Sequence, residues 1–283
     1  MSASMLRDRD AGTVPAGLSA DRVAAYERDG FLFPLPIFTA EEAAGWAAEV
    51  ARLPGAALAG HPAPWVQKSY LLLPSLDALL RDPRLTAPVA SILGDDLLAL
   101  SADLFIKAPG SQKRITWHQD VNYWGLEPLK VLTAWIAFTP ATPENGCMRY
   151  AAGAHRERLA HSENKTADNM LTKGQEIAVA IDEARAVDVV LSPGEVAFHD
   201  GLAPHASGPN RSAATRIGFA IRYLAAAVRQ TSGPPISARL ARGIDRHGNF
   251  TLEEGPDAPL SPKALAAHLA ALQPHAAHGY STV

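Results

Sequence analysis

A mainly β fold with flanking helices, built as a sandwich or barrel of short strands, is predicted by three features of this sequence. Helix-capping patterns are concentrated before residue 97. After it, apolar residues come in short runs or alternate with a period of two, punctuated by Gly, Pro, Asn and Asp. The 283 residues, 47% hydrophobic and 19% charged, suffice for one large domain with a substantial core.

Taken in order, residues 1–17 are polar and expected to be loose, and residues 18–96 read as a helical buttress. Ser19 caps a helix to about residue 29, and Thr39-Ala40-Glu41-Glu42 forms a capping box before a second helix over 43–50. The stretch 75–93 is helical in pattern but contains Pro83 and Pro88, so short turns are expected there. Residues 97–225 form the stranded core, with strands expected at 98–107, 131–138, 177–181, 187–191, 195–199 and 217–223. Residues 226–283 are rich in Pro, Ala, Gly and His and carry a short helix near 262–272. They read as a wrap or a homodimer arm without chemistry of its own, in which His247, His268, His275 and His278 are solvated.

Composition narrows the function. A net charge of −3 without a basic tract points away from nucleic acid and anionic membranes. Cys147 is the only cysteine, which excludes an intrachain disulfide and a thiolate metal cluster and suits a reducing compartment. The first ten residues lack an apolar leader core, and no apolar stretch approaches the ~20 residues of a membrane span, so the cytoplasm is the expected location.

The chemistry is concentrated in Trp117-His118-Gln119-Asp120. In an extended segment, side chains two apart share a face, so His118 and Asp120 can grip one ion while Gln119 points away. A third ligand must come from elsewhere, and the run from Phe198 to His205 offers His199 and His205. His205 is preferred because an alternating strand follows it and places Arg216 11 residues on. A guanidinium there presents a planar fork of donors suited to a carboxylate. Two imidazoles and one carboxylate on one face of a metal leave three positions open, the arrangement of non-haem Fe(II) oxygenases.

Several separated motifs, in order, carry a resemblance: Lys107-Ala108-Pro109-Gly110, Trp117-His118-Gln119-Asp120, Asn145-Gly146-Cys147-Met148, Gly153-Ala154-His155, Pro193-Gly194-Glu195, and His205 through Ser212 followed by Arg216. Over roughly residues 20–225 the chain resembles the phytanoyl-CoA dioxygenase family. The resemblance implies a double-stranded β-helix (a cupin-like jelly roll) and an Fe(II)- and 2-oxoglutarate-dependent enzyme that uses O₂. It implies His118, Asp120 and His205 as iron ligands, and Arg216 with Ser207 as contacts of 2-oxoglutarate. Where many relatives read Pro-Gly-Ser-His, this chain has Ala152-Gly153-Ala154-His155. Halogenating cousins lack the carboxylate ligand, so Asp120 implies hydroxylation of a small molecule, with succinate and CO₂ released.

Thr133 and Trp135 share one face of the 131–138 strand and point into the barrel, as cofactor contacts or as core. Trp124, with Tyr123 and Asn122, leaves the metal-bearing strand where a substrate wall is expected, although Gly125-Leu126-Glu127-Pro128 departs from the relatives that place a tryptophan there. Lys107 and Arg149 are candidates for an anionic substrate or co-substrate, or else rim charges in water. The loop 164–176, with Asn169, Met170 and Gln175, is long enough to be a lid. Two rival classes remain on the same ligands: a 2-oxoglutarate-independent cupin-like metalloenzyme and a non-catalytic accessory jelly roll.

Overall fold

The computed structural model describes residues 17–53, 58, 61, 63–164, 166–171 and 174–277. Two capping devices start the chain. Ser19 accepts from Arg22 N to open α1 (Ala20–Asp29), which Gly30 ends in the left-handed conformation. After β1 (Phe31–Pro36), Thr39 and Glu42 form the reciprocal capping box that opens α2 (Ala40–Val50).

The expectation of broken turns over 75–93 is corrected. α3 (Pro74–Leu80) and α4 (Pro83–Leu93) are both regular, each with a proline in its first turn, where the missing N–H has no helical partner to lose. Asp82 caps α4 by accepting from Arg84 N at 2.8 Å, and Pro88 is accommodated inside the helix.

The strands follow: β2 (Leu97–Lys107), β3 (Ile115–His118), β4 (Leu126–Glu127), β5 (Val131–Ala137), β6 (Met148–Ala151), β7 (His161–Glu163), β8 (Gln175–Ile177), β9 (Ala186–Asp188), β10 (Glu195–Asp200), β11 (His205–Ser207), β12 (Arg216–Ala225), β13 (Arg229–Gln230), β14 (Ser237–Arg242) and β15 (Thr251–Leu252), before α5 (Pro262–Ala277). They form a jelly roll. The major sheet has the order β1-β10-β5-β12-β2-β14-β15, and the minor sheet β3-β11-β6-β9. No helix among the described residues is long and apolar enough to cross a membrane.

Alternation on β5 shows how the core divides. Leu132, Ala134 and Ile136 join the cluster built by α3, α4 and the outer face of the major sheet, including Leu76, Leu85 and Val89. Thr133 and Trp135 face the other way, toward the minor sheet, as the period of two requires. The strands expected at 177–181 and 187–191 shift to 175–177 and 186–188, and Val179 and Val190 are exposed.

Both flanks contribute to the major sheet. β1 pairs with β10 at its edge, where the two prolines of Phe-Leu-Phe-Pro-Leu-Pro cost no ladder bond that a central strand would need. β14 pairs with β2. The described part of the 226–283 segment thus packs on its own chain. His268, expected to be solvated, is fully buried and shares a ring-nitrogen hydrogen bond of 2.9 Å with His61. His278 and the side chain of His275 lie outside the described residues.

Candidate active site

His118 ends β3 and His205 begins β11, and the two are direct cross-strand partners, so their rings lie 4.1 Å apart between centroids. Gln119 is extended and carries the chain to Asp120. The i, i+2 expectation therefore holds at the strand end. Gln119 points away and braces the backbone, donating to the carbonyls of Glu157 and Leu202 and accepting from Leu159 N.

His118 Nε2 is 3.7 Å and His205 Nε2 3.9 Å from Asp120 Oδ1, and the three donor atoms lie within 4.8 Å of one another, all buried. Each histidine's Nδ1 donates to a carbonyl two residues back, His118 to Thr116 O (2.9 Å) and His205 to Ala203 O (3.0 Å). Both tautomers are thereby set with Nε2 free to ligate. Burial, with the neighbouring imidazoles, holds His205 well below the usual histidine range, so it stays neutral. Burial pushes Asp120 upward, but Arg222, His118, His199 and His205 together outweigh it and keep the carboxylate ionised. A neutral imidazole and an ionised carboxylate are the forms that bind a divalent ion.

His199, the other candidate for the third ligand, sits behind the carboxylate. It lies directly opposite Thr133 on the neighbouring strand, and Thr133 lies opposite Arg222 on the next. This row of three across β10, β5 and β12 reaches Asp120 Oδ2: Thr133 Oγ1 donates at 2.7 Å, His199 Nε2 lies at 3.3 Å and Arg222 Nε at 3.8 Å. His199 Nδ1 is held by Tyr150 Oη at 2.8 Å. Thr133, expected as a cofactor contact, thus supports the carboxylate.

Arg216 lies on the same cavity as the three ligands and is 1% exposed. Its register partner on β2 is Lys107. Arg216 Nη1 donates to Gly146 O at 2.6 Å, its guanidinium stacks over Trp135 at 5.5 Å, and its buried Nε has no hydrogen-bond partner. Lys107 is not a rim charge. It is fully buried and donates to Ser207 Oγ (2.7 Å) and Gly208 O. Burial, then the charge of Arg216, lowers its pKa to about 6, and burial lowers that of Arg216 to about 10. No acid pairs with either cation among the described residues. Cys147, nearby, has its thiol pushed up to about 11 by burial and packs as a small apolar residue.

Two glycines make room here. Gly146, at φ 73°, brings its turn so close to Gly208 that a Cβ would fall 2.2 Å from the Gly208 carbonyl oxygen. Gly218 lies under Trp135, where a Cβ would be 1.9 Å from the indole.

Trp124 lines a second cavity of about 390 Å³ that shares His118 and Asp120 with the metal face. The side chain of Tyr123 lies outside the described residues. Arg149 is brought elsewhere. It alternates with Tyr150 on β6, pairs with Glu183 (2.8 Å) and Asp188 (3.2 Å), and covers Trp117 on the outer face. Within the 164–176 stretch, residues 166–171 are anchored by Arg114 with Asp168 (2.6 Å) and by Asn169 Nδ2 donating to Thr116 Oγ1 (3.0 Å), and they set Met170 and Leu171 in the cavity wall. The C-terminal segment, expected as a wrap without chemistry of its own, supplies Gln230, Pro234, Ile236 and Leu272 to the same wall.

A sequence model of the phytanoyl-CoA dioxygenase family matches residues 26–218. Ectoine dioxygenase of Bordetella bronchiseptica is 29% identical over 168 residues, 53% of each chain, so the chain spans about half the length of the curated relatives it matches. Among solved structures, the apo form of the non-haem monooxygenase ThoJ is 36% identical with a TM-score of 0.78, covering 92% of this chain and 97% of that one. A nickel complex of ThoJ superposes with a TM-score of 0.74 at 33% identity, covering 91% and 98%.

Proposed function

Since the chain belongs to the phytanoyl-CoA dioxygenase family, we propose that it is an Fe(II)- and 2-oxoglutarate-dependent dioxygenase that hydroxylates a C–H bond of a small-molecule metabolite. The observation that carries this reading is a buried pair of basic groups, Arg216 and Lys107, with no acid partner among the described residues, beside a face of two histidines and one carboxylate. A buried guanidinium with an unpartnered Nε is costly unless an anion completes it, and a dicarboxylate reaching from the metal face supplies that anion.

His118, Asp120 and His205 would hold the iron, and the nickel complex of a 33% identical relative supports a metal here. When bound, Fe(II) with 2-oxoglutarate and O₂ supplies the oxidising power for C–H hydroxylation, with succinate and CO₂ as co-products. The chain's own residues do the positioning. Arg216, held by Gly146 and Trp135, orients the far carboxylate of the co-substrate, and Lys107 with Ser207 adds a second donor pair. Thr133, His199 and Arg222 keep Asp120 Oδ2 occupied so that Oδ1 is the oxygen turned toward the histidines. The cavity beyond, with a mostly apolar wall, adjoins His118 and Asp120 and gives a substrate its place beside the metal face.

The test is 2-oxoglutarate turnover by purified protein. Succinate formation and O₂ consumption in equal amounts, dependent on added Fe(II) and absent from His205→Ala and Asp120→Ala, are expected. Iron-dependent O₂ consumption without succinate would instead mark a 2-oxoglutarate-independent metalloenzyme.

A further inference from the structure

The anion pocket and the neighbouring cavity contrast in charge, and the contrast indicates what the cavity takes. Arg216 and Lys107 are two buried basic groups on neighbouring strands with no acid partner among the described residues. In the wall of the 390 Å³ cavity, the buried ions are already neutralised. Lys68 Nζ is bonded to Glu253 Oε1 and to Ser237 O, and Arg222 Nη1 to Asp103 Oδ2. Asp103 Oδ1 accepts in addition from Lys68 N at 2.9 Å. Lys113, half-buried, donates to Ala167 O at 3.1 Å. The rest of the wall is mostly apolar, including Leu100, Leu104, Trp124, Met170, Leu171 and Leu272.

A carboxylate, phosphate or ammonium entering this wall would lose its water and find the buried ions already paired, with half-buried Lys113, held only by a carbonyl, as the one cation of the wall without an acid among the described residues. A volume of about 390 Å³ is at the lower end of the range for drug-sized ligands. A small zwitterion would leave much of it unfilled. One polar atom in the wall lacks a hydrogen bond: Arg222 Nε is buried and makes only an ion-pair contact of 3.8 Å with Asp120 Oδ2. A bound molecule carrying an acceptor can satisfy it beside the metal face.

We propose that this cavity takes a neutral, predominantly apolar molecule that presents one carbonyl, hydroxyl or ether oxygen to Arg222 Nε, which sets the C–H bond offered to the metal face. This deepens the oxygenase reading and rests on it. Arg222 is then the residue that fixes substrate orientation, and shape rather than charge selects the substrate.

Three fluorescent probes test it on protein loaded anaerobically with Fe(II) and 2-oxoglutarate. N-phenyl-1-naphthylamine is neutral, 8-anilino-1-naphthalenesulfonate adds a sulfonate to the same skeleton, and 6-propionyl-2-dimethylaminonaphthalene is neutral with a ketone. The neutral amine is expected to bind one site at least about tenfold more tightly than its sulfonate, a difference of ~1.4 kcal/mol. Leu100→Trp, which fills the cavity, should remove that site, and Met170→Trp repeats the block from the loop without altering β2. Arg222→Lys keeps a cation for Asp103 and removes Nε. It should weaken the ketone at least about fivefold, near 1 kcal/mol, and leave the amine within about twofold.

Equal or tighter binding of the sulfonate at a site that Leu100→Trp or Met170→Trp blocks would overturn the neutral-substrate proposal. Parallel loss of ketone and amine in Arg222→Lys would overturn the role of Nε. The absorption of the Fe(II)–2-oxoglutarate complex, recorded on the same samples, reports the oxygenase reading separately. A normal band with the sulfonate preferred defeats the substrate proposal alone, and no band defeats the reading beneath it.

Discussion

Thr133 Oγ1 donates to Asp120 Oδ2 at 2.7 Å, across the gap between the two sheets, and leaves Oδ1 facing the two histidines. The bond joins β5 to the carboxylate that follows β3. Partners of this kind are worth ~10–100-fold in metal affinity. Thr133→Val is nearly isosteric and removes only the hydroxyl. Fe(II) affinity, measured anaerobically by competition with a chelator, should fall about tenfold or more. Unchanged affinity in a normally folded variant would mean that His199 and Arg222 suffice without it.

Arg216 carries opposite consequences for the empty and loaded protein. Its buried charge has no acid partner, so Arg216→Met should raise the unfolding free energy of the cofactor-free protein by about 1–2 kcal/mol, a shift of a few degrees in Tm. The same variant should lose the stabilisation that wild type gains from added 2-oxoglutarate. Thermal melts with and without co-substrate read both effects. A variant less stable when empty, yet still stabilised by 2-oxoglutarate, would show that the guanidinium serves packing alone.

Lys107 gives a pH dependence whose sign is fixed. Burial beside Arg216 lowers the ammonium to about 6 in the free protein, so above that pH the amine is mostly neutral. A bound dicarboxylate favours the charged form, and binding above pH 6 therefore takes up a proton. Affinity for 2-oxoglutarate should weaken as pH rises from 6.5 to 8.5, by up to about tenfold per unit. Calorimetry in buffers of different ionisation enthalpy should register the proton uptake. Lys107→Met should bind more weakly at pH 6.5 and show a flatter profile.

Gly218 links β12 packing to the anion pocket. A Cβ there would press on the Trp135 indole, which lies beneath the Arg216 guanidinium. Gly218→Ala should destabilise the fold by about 1–3 kcal/mol in chemical denaturation and raise the KM for 2-oxoglutarate as the indole shifts. A destabilised variant with unchanged KM would separate the indole from co-substrate binding.

The sequence made some of this legible and not the rest, for physical reasons. The spacing of His118 and Asp120 needs only local extended geometry, and the inward face of Thr133 and Trp135 follows from strand alternation. The row His199, Thr133, Arg222 depends on cross-strand register between segments far apart in sequence, which alternation alone does not set. For the same reason Lys107 read equally well as a rim charge until its register with Arg216 placed it inside. β1 was hidden by its prolines, which an edge position tolerates. The C-terminal part of the cavity wall was hidden because nothing local shows where Ile236 and Leu272 pack.

The most direct measurement is an anaerobic absorption titration of the metal-free protein with Fe(II) and then 2-oxoglutarate, in wild type, His205→Ala and Arg216→Ala. A weak visible charge-transfer band that requires both additions, is lost in His205→Ala, and needs about tenfold or more 2-oxoglutarate in Arg216→Ala is the predicted result. No band in folded wild-type protein, or an unchanged one in His205→Ala, would contradict the assignment of the metal face and its co-substrate.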